Sequence, residues 1–148
     1  MLSVGILFRL LVKSRRIFAC PLPSHSWSPT HRAEGDALLT SVANGLSGWL
    51  RTSDSAGRMG SDEFALLVPD VDGASAKAYI EYLRHRLLQA MSERPWPLTF
   101  SIGLASQARA PANLDGLLGE ADSLMYEVIY EGRNRALQKN FAHRDSNK

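Results

Sequence analysis

Cysteine is nearly absent: Cys20 is the only one among 148 residues. The chain therefore has no internal disulfide and no cysteine-rich metal cage, and cytoplasmic chemistry is the default expectation. Long apolar runs are missing too. The run from Val4 to Val12 is broken by Arg9 and is too short for a transmembrane helix. Its positive charges follow the apolar stretch and no small-residue cleavage site is evident, so it does not read as a signal peptide. Acidic residues are absent from residues 1–33, where Arg9, Lys13, Arg15, Arg16 and Arg32 stand. From Glu34 onward both signs mix, as on an ordinary surface. The net charge of +2 is too small to suggest a nucleic-acid partner. It does not exclude a phosphate-bearing ligand, because a small site needs only local positive charge. No internal repeat is present.

At 148 residues the chain is long enough for one domain with a real core and too short for two. The prolines and serines of residues 21–30 read as an irregular stretch. A helix is expected to open near Asp36, a good capping residue. Leu39, Val42, Ala43, Leu46, Trp49 and Leu50 recur at helical spacing and define its buried face. Two short strands, Ala56–Met59 and Glu63–Val68, flank Gly60-Ser61 and read as a hairpin. A second helix covers about Ala74–Ser92, with Ala76, Tyr79, Ile80, Leu83, Leu87 and Met91 inward. Pro95 and Pro97 break the chain before a strand from Leu98 to Ala105. Asn113 caps a third helix, with Leu114, Leu117, Leu118, Ala121, Leu124, Met125 and Val128 inward, and Gly132 stops it. Arg135–Gln138 reads as a last edge strand.

From Asp36 the order is α-β-β-α-β-α-β. One strand in front converts it to the ferredoxin-like or polymerase-palm βαββαβ arrangement, an α/β (α+β) sheet with helices packed on it. That first strand is central, so residues 1–30 must supply it, with Val4–Val12 or Arg16–Cys20 as candidates. The expected organisation is a divergent basic segment over 1–34, one domain over 35–138, and a polar tail over 139–148.

The chemistry centres on Arg58-Met59-Gly60-Ser61-Asp62-Glu63-Phe64. Two small residues at a hairpin tip let backbone approach a phosphate closely. Two adjacent carboxylates offer oxygen ligands to Mg²⁺, which needs few protein ligands when phosphates supply the rest. Taken alone, this is also what an acidic, solvated hairpin tip looks like.

The neighbours of this segment change its meaning. It resembles the signature of GGDEF diguanylate cyclases, with Ser61 in place of the second glycine. Gly35-Asp36 resembles the family's Gly-Asp at the first helix. Arg51-Thr52-Ser53-Asp54 matches its Arg-x-x-Asp inhibitory site, with five residues between Asp54 and Gly60. Leu98-Thr99-Phe100-Ser101-Ile102-Gly103 resembles a later strand. Ala121-Asp122-Ser123-Leu124-Met125-Tyr126 and Gly132-Arg133-Asn134-Arg135 resemble the last helix and its exit.

The resemblance implies condensation of two GTP into cyclic di-GMP, with two domains facing each other in a homodimer or with a partner GGDEF domain. It implies Mg²⁺ or Mn²⁺ at Asp62 and Glu63, which are also the catalytic candidates. Gly60 and Ser61 would lie against the nucleotide, Asp36 would accept from the guanine edge, and Arg133 would contact phosphate. Arg51 and Asp54 would bind product. Simpler roles exist for each: an ion pair for Arg51 with Asp54, a helix cap for Asp36, a solvated arginine for Arg133.

The pattern fails at its start. The family's first strand carries a metal-binding aspartate, then Asp-x-Phe-Lys and an asparagine for guanine. Counting back without gaps, these positions fall near Ala19, Ser24 and Trp27. A lysine usual before Gly-Arg-Asn is replaced by Ile129. The abrupt change before Ala33 reads as a frameshift, a truncated gene or a fusion boundary. The expectation is a GGDEF domain by descent, weak or inactive as a cyclase. Three other readings stay open: a working cyclase in which residues 1–30 compensate, a receptor binding cyclic di-GMP through Arg51 and Asp54, and a bare dimerisation module.

Overall fold

The N-terminal apolar run takes the central place that the element order leaves vacant. The structure is a computed structural model and describes residues 5–14, 29–93, 98–107, 113–132 and 134–141. Among these, the strands are β1 (Gly5–Ser14), β2 (Ser55–Arg58), β3 (Glu63–Pro69), β4 (Leu98–Gln107) and β5 (Ala136–Phe141). The helices are α1 (Pro29–Trp49), α2 (Gly73–Ser92) and α3 (Leu114–Tyr130). The strands form one sheet in the order β2-β3-β1-β4-β5. β1 is antiparallel to both its neighbours: Leu11 lies opposite Glu63 of β3, and Val12 opposite Phe100 of β4. The first four strands have the βαββαβ order expected from the sequence, and β5 adds a parallel edge beside β4.

Alternation along the strands sends side chains to two faces. Phe64, Leu66 and Val68 of β3 and Phe100, Ile102 and Leu104 of β4 pack with Leu38, Val42 and Leu46 of α1 and with Ile80, Leu83 and Leu87 of α2. On the other face Ala105 and Leu67 meet Leu117 and Ala121 of α3. The third helix sits very close to the sheet because position 103 is glycine. A Cβ there would collide with the Ala121 carbonyl oxygen and the Met125 amide nitrogen.

Local signals set the helix ends. Asp72 caps α2, its carboxylate accepting from the backbone N–H groups of Ala74 and Ser75 at 3.0 and 2.9 Å. Asn113 caps α3 by accepting from the Asp115 amide. Gly132, at φ 119°, follows the end of α3, a conformation that glycine adopts without penalty.

Three expectations change. α1 opens at Pro29 instead of near Asp36, because proline suits a first helical turn. Asp36 is therefore in the body of the helix and is not its cap. Leu114 is exposed instead of inward, like its neighbours Asp115 and Gly116 in the first turn of α3. β5 continues to Phe141, so residues 139–141 pair with β4 instead of starting a tail. The irregular stretch at 21–28, Arg16–Cys20, and Pro95 with Pro97 lie outside the described residues.

Gly103→Ala is expected to destabilise the domain by about 2–3 kcal/mol in denaturant unfolding, because backbone atoms of α3 must retreat. Gly119→Ala is the control: it is helical with nothing within 4 Å of a built Cβ, and it should gain about 0.5–1 kcal/mol. Equal stability of Gly103→Ala and the wild type would show that α3 is not held against the sheet as described.

Candidate functional site

The β2–β3 hairpin carries candidate residues at both ends. Its tip holds Gly60, Ser61, Asp62 and Glu63. The open end holds Arg51 and Asp54, just before β2, beside Pro69 at the end of β3. The seven residues of β3 put roughly 20 Å between the two groups.

At the tip, Arg58 acts as a clasp. Its Nε donates to the Gly60 carbonyl at 3.0 Å and its Nη2 to the Ser61 carbonyl at 2.7 Å. The Met59 amide closes the turn by donating to the Glu63 carbonyl at 2.9 Å. Asp62 is nearly buried, at 7% exposure, and accepts from Ser61 Oγ at 3.2 Å. The serine that replaces glycine thus places a hydroxyl on the carboxylate. Gly60 has no positive φ, and a built Cβ would meet only Glu63 side-chain atoms at ordinary contact distance, 3.5 Å and beyond. The fold itself does not require glycine there.

An open cleft of about 260 Å³ runs between α1 and the hairpin, lined by Leu39, Thr40, Ala43, Ser47, Gly57 and Arg58 among others. Asp36 is exposed. It precedes Leu39 and Thr40 by one helical turn, so it stands on the stripe of α1 that faces this cleft. The same cleft is bordered by Arg58 and Phe64, which flank the hairpin tip. Arg133, Ala19, Ser24 and Trp27 lie outside the described residues.

Asp62 and Glu63 are two carboxylates without a third. No group of three or more His, Cys, Asp or Glu is found among the described residues. The neighbouring strand β1 reads GILFRLLVKS and contributes no carboxylate, although its Leu11 lies opposite Glu63. This donor set does not make a metal site of protein groups alone. It fits only a Mg²⁺ or Mn²⁺ that brings most of its oxygen ligands on nucleotide phosphates.

At the open end the geometry is closed and dense. Arg51 Nη2 lies 2.8 Å from Asp54 Oδ1, and the Asp54 side chain is wholly buried while that of Arg51 is 46% exposed. Arg51 Nε donates to both carboxylate oxygens, at 3.1 and 3.2 Å. Its backbone amide donates to Oδ2 at 2.9 Å. Nη2 also donates to the Pro69 carbonyl at 2.8 Å, so Nη1 keeps its donors for solvent. Tyr79 of α2 donates its hydroxyl to Asp54 Oδ2 at 3.2 Å. Burial pushes the Asp54 carboxyl upward, but the hydrogen bonds from Arg51 and Tyr79 outweigh it and hold the group below the usual carboxylate range. Burial first, then the Asp54 charge, push the Tyr79 hydroxyl up to about 12.

Arg58 and Tyr79 carry contacts that spacing alone does not assign: Arg58 lies inside the Arg58–Phe64 segment, and the Tyr79 signal is a hydroxyl on an otherwise aliphatic helical stripe.

The diguanylate cyclase, GGDEF domain family matches residues 32–135. The chain is 29% identical over 108 residues to the probable diguanylate cyclase DgcT of Escherichia coli, a match covering 70% of this chain and 24% of that protein. It is 30% identical over 109 residues to the diguanylate cyclase VdcA of Vibrio cholerae, covering 70% of this chain and 32% of that one. The chain therefore spans about a quarter to a third of the length of these curated relatives. In fold it is similar to the GGDEF domain of DgcB from Caulobacter crescentus, solved in complex with c-di-GMP, with a TM-score of 0.71 and 22% identity over 92% of this chain and 78% of that one.

The coupling of Tyr79 to Asp54 makes an alkaline prediction. Unfolded tyrosine ionises near 10, whereas folded Tyr79 holds its proton to about 12. Between these values the unfolded state has lost a proton that the folded state keeps, so stability falls as pH rises. The stability advantage of wild type over Tyr79→Phe should be full below pH ~10 and shrink toward pH 12. A difference independent of pH in denaturant titrations would refute the coupling.

Proposed function

Since the chain belongs to the GGDEF family, we propose that it acts in cyclic di-GMP signalling in the cytoplasm as a guanine-nucleotide-binding domain whose cyclase activity is weak or lost. The observation that carries this reading is the β1 register. The strand beside the acidic tip has no Asp or Glu along its length, and Leu11 stands opposite Glu63. Removing one carboxylate from a site that must gather metal and polyphosphate costs many-fold in rate, since electrostatic stabilisation is usually the largest catalytic contribution.

Nucleotide binding rests on the residues that remain. The cleft between α1 and the hairpin would take the guanine of GTP, with Asp36 accepting from its N–H donors. The small tip residues Gly60 and Ser61 leave room for phosphate, and Arg58 ties up the tip carbonyls. Asp62 and Glu63 would hold Mg²⁺ carried on those phosphates. Bound there, the metal would polarise the phosphate under attack. Arg133 would add a positive fork to the phosphates. Condensation would also need a second GTP presented by a homodimeric or partner GGDEF domain, since each domain offers one nucleotide.

A second reading is favoured by a separate observation. Arg51 and Asp54 lie at the far end of the hairpin from the tip and use no residue of β1. Product binding at Arg51 would therefore survive loss of catalysis, making the domain a receptor for cyclic di-GMP.

Purified chain supplied with GTP and Mg²⁺ is expected to form little or no cyclic di-GMP. Robust turnover that disappears in Asp62→Ala would overturn the proposal. For the receptor reading, Arg51→Ala should weaken cyclic di-GMP binding roughly ten- to a hundredfold in calorimetric titration, as loss of a bidentate contact does. Lysine at this position should rescue only in part, because it lacks the planar fork. Unchanged affinity in Arg51→Ala would leave the pair as an ion pair alone.

A further inference from the structure

Resting on the reading of Arg51 and Asp54 as a product site, we propose that Tyr79 is a latch that sets its affinity: the site is built closed, and cyclic di-GMP enters when Asp54 releases Tyr79 and turns outward. A guanine edge presents N–H donors, and only a carboxylate with free lone pairs can accept them. Two carboxylate oxygens offer about four lone-pair positions. At Asp54 these face the Arg51 backbone amide, Arg51 Nε and Nη2, and the Tyr79 hydroxyl, with Ser53 Oγ at 3.4 Å in addition. The side chain is wholly buried. In this state Asp54 has nothing to offer a ligand.

The donors differ in how far they can follow the carboxylate. The side chains of Arg51 and Ser53 belong to exposed residues of the same turn and can follow Asp54 outward, while the bond from the Arg51 backbone amide is given up and frees lone pairs for the ligand. Tyr79 cannot. It sits on α2 and packs against the main core cluster beside Ile80 and Leu83. Its hydroxyl is thus the side-chain donor held on the inner side, and outward rotation of Asp54 must break that bond. The cost is larger than for an exposed pair because the bond is partly buried and charge-assisted. Arg51 must also leave the Pro69 carbonyl before it can present two parallel N–H groups, since its Nε–Nη2 edge is already spent on Asp54. Tyr79 is accordingly a positioning residue. It touches the ligand-binding carboxylate and not the ligand.

The test is calorimetric titration of the full chain with cyclic di-GMP, together with stopped-flow association rates. Tyr79→Phe keeps the ring in the core and removes the hydroxyl that donates to Asp54. It should bind about tenfold more tightly, the worth of one charge-assisted hydrogen bond, with most of the gain in the association rate. Its thermal midpoint should fall at the same time, so affinity and stability move in opposite directions. Tyr79→Leu repeats the test if the phenylalanine variant folds poorly. Affinity unchanged in both variants, with binding still lost in Arg51→Ala, would overturn the latch and leave the product site standing. Weaker binding in Tyr79→Phe would also overturn it, by making the hydroxyl a support for the bound state. Absence of binding in wild type and in both Tyr79 variants would overturn the product site itself, and the latch with it.

Discussion

Everything in this domain depends on one strand being in the middle of the sheet. β3 and β4 present their inner edges toward each other across a gap that only another strand can fill, because buried backbone N–H and C=O groups must be paired. Gly5–Ser14 fills it, pairing along ten positions with β4 and seven with β3. The helices α1 and α2 then find one continuous apolar face, and α3 finds the other. Central placement of β1 also has a chemical consequence. Its register decides which residues stand beside the acidic hairpin tip, and the residue opposite Glu63 is Leu11. The backbone role of the strand is met in full by an apolar sequence that carries no Asp or Glu, because backbone pairing does not depend on side-chain identity.

The hairpin organises the candidate chemistry into two independent ends. At the tip, Arg58 spends its donors on carbonyls of the turn and leaves Asp62 in a nearly buried pocket with a hydroxyl neighbour. At the open end, Arg51 spends its donors on Asp54 and Pro69. Both arginines are thus used to fix backbone and carboxylate geometry. The distance along β3 is about 20 Å, beyond the Debye length of ~8 Å at physiological ionic strength. A change of charge at one end is therefore weakly felt at the other through solvent, and altering the first strand need not disturb the Arg51–Asp54 group.

The Arg51–Asp54–Tyr79 cluster also shows how a surface motif becomes part of the core. A lone exposed arginine–aspartate pair contributes at most about 1 kcal/mol. Here the carboxylate is buried, and two elements besides its own turn depend on the pair. α2 is tied to it through the Tyr79 hydroxyl and the end of β3 through the Pro69 carbonyl. The lowered carboxyl and the raised phenol are two expressions of one shared proton preference: Asp54 stays charged so that Tyr79 and Arg51 can donate to it.

The sequence by itself determined the element order, the capping of α3 by Asn113, the apolar stripes and the identity of the motif residues, because these follow from spacing along one segment. Leu39, Val42 and Leu46 at helical spacing, or Phe64, Leu66 and Val68 in alternation, carry their burial with them. It also fixed that some N-terminal segment must enter the sheet, since a βαββαβ order without its first strand leaves two edges unpaired. Three matters were decided only by tertiary structure. The start of α1 at Pro29 was masked by a stretch whose prolines read locally as loop. The register that sets Leu11 against Glu63 depends on pairing between residues some fifty positions apart, and a gapless count along the chain pointed instead to Ala19. The closure of Asp54 by Tyr79 joins residues twenty-five positions apart. A hydroxyl on a buried helical face gives no local sign of the partner it will meet, because that partner is chosen by how α2 packs across the sheet.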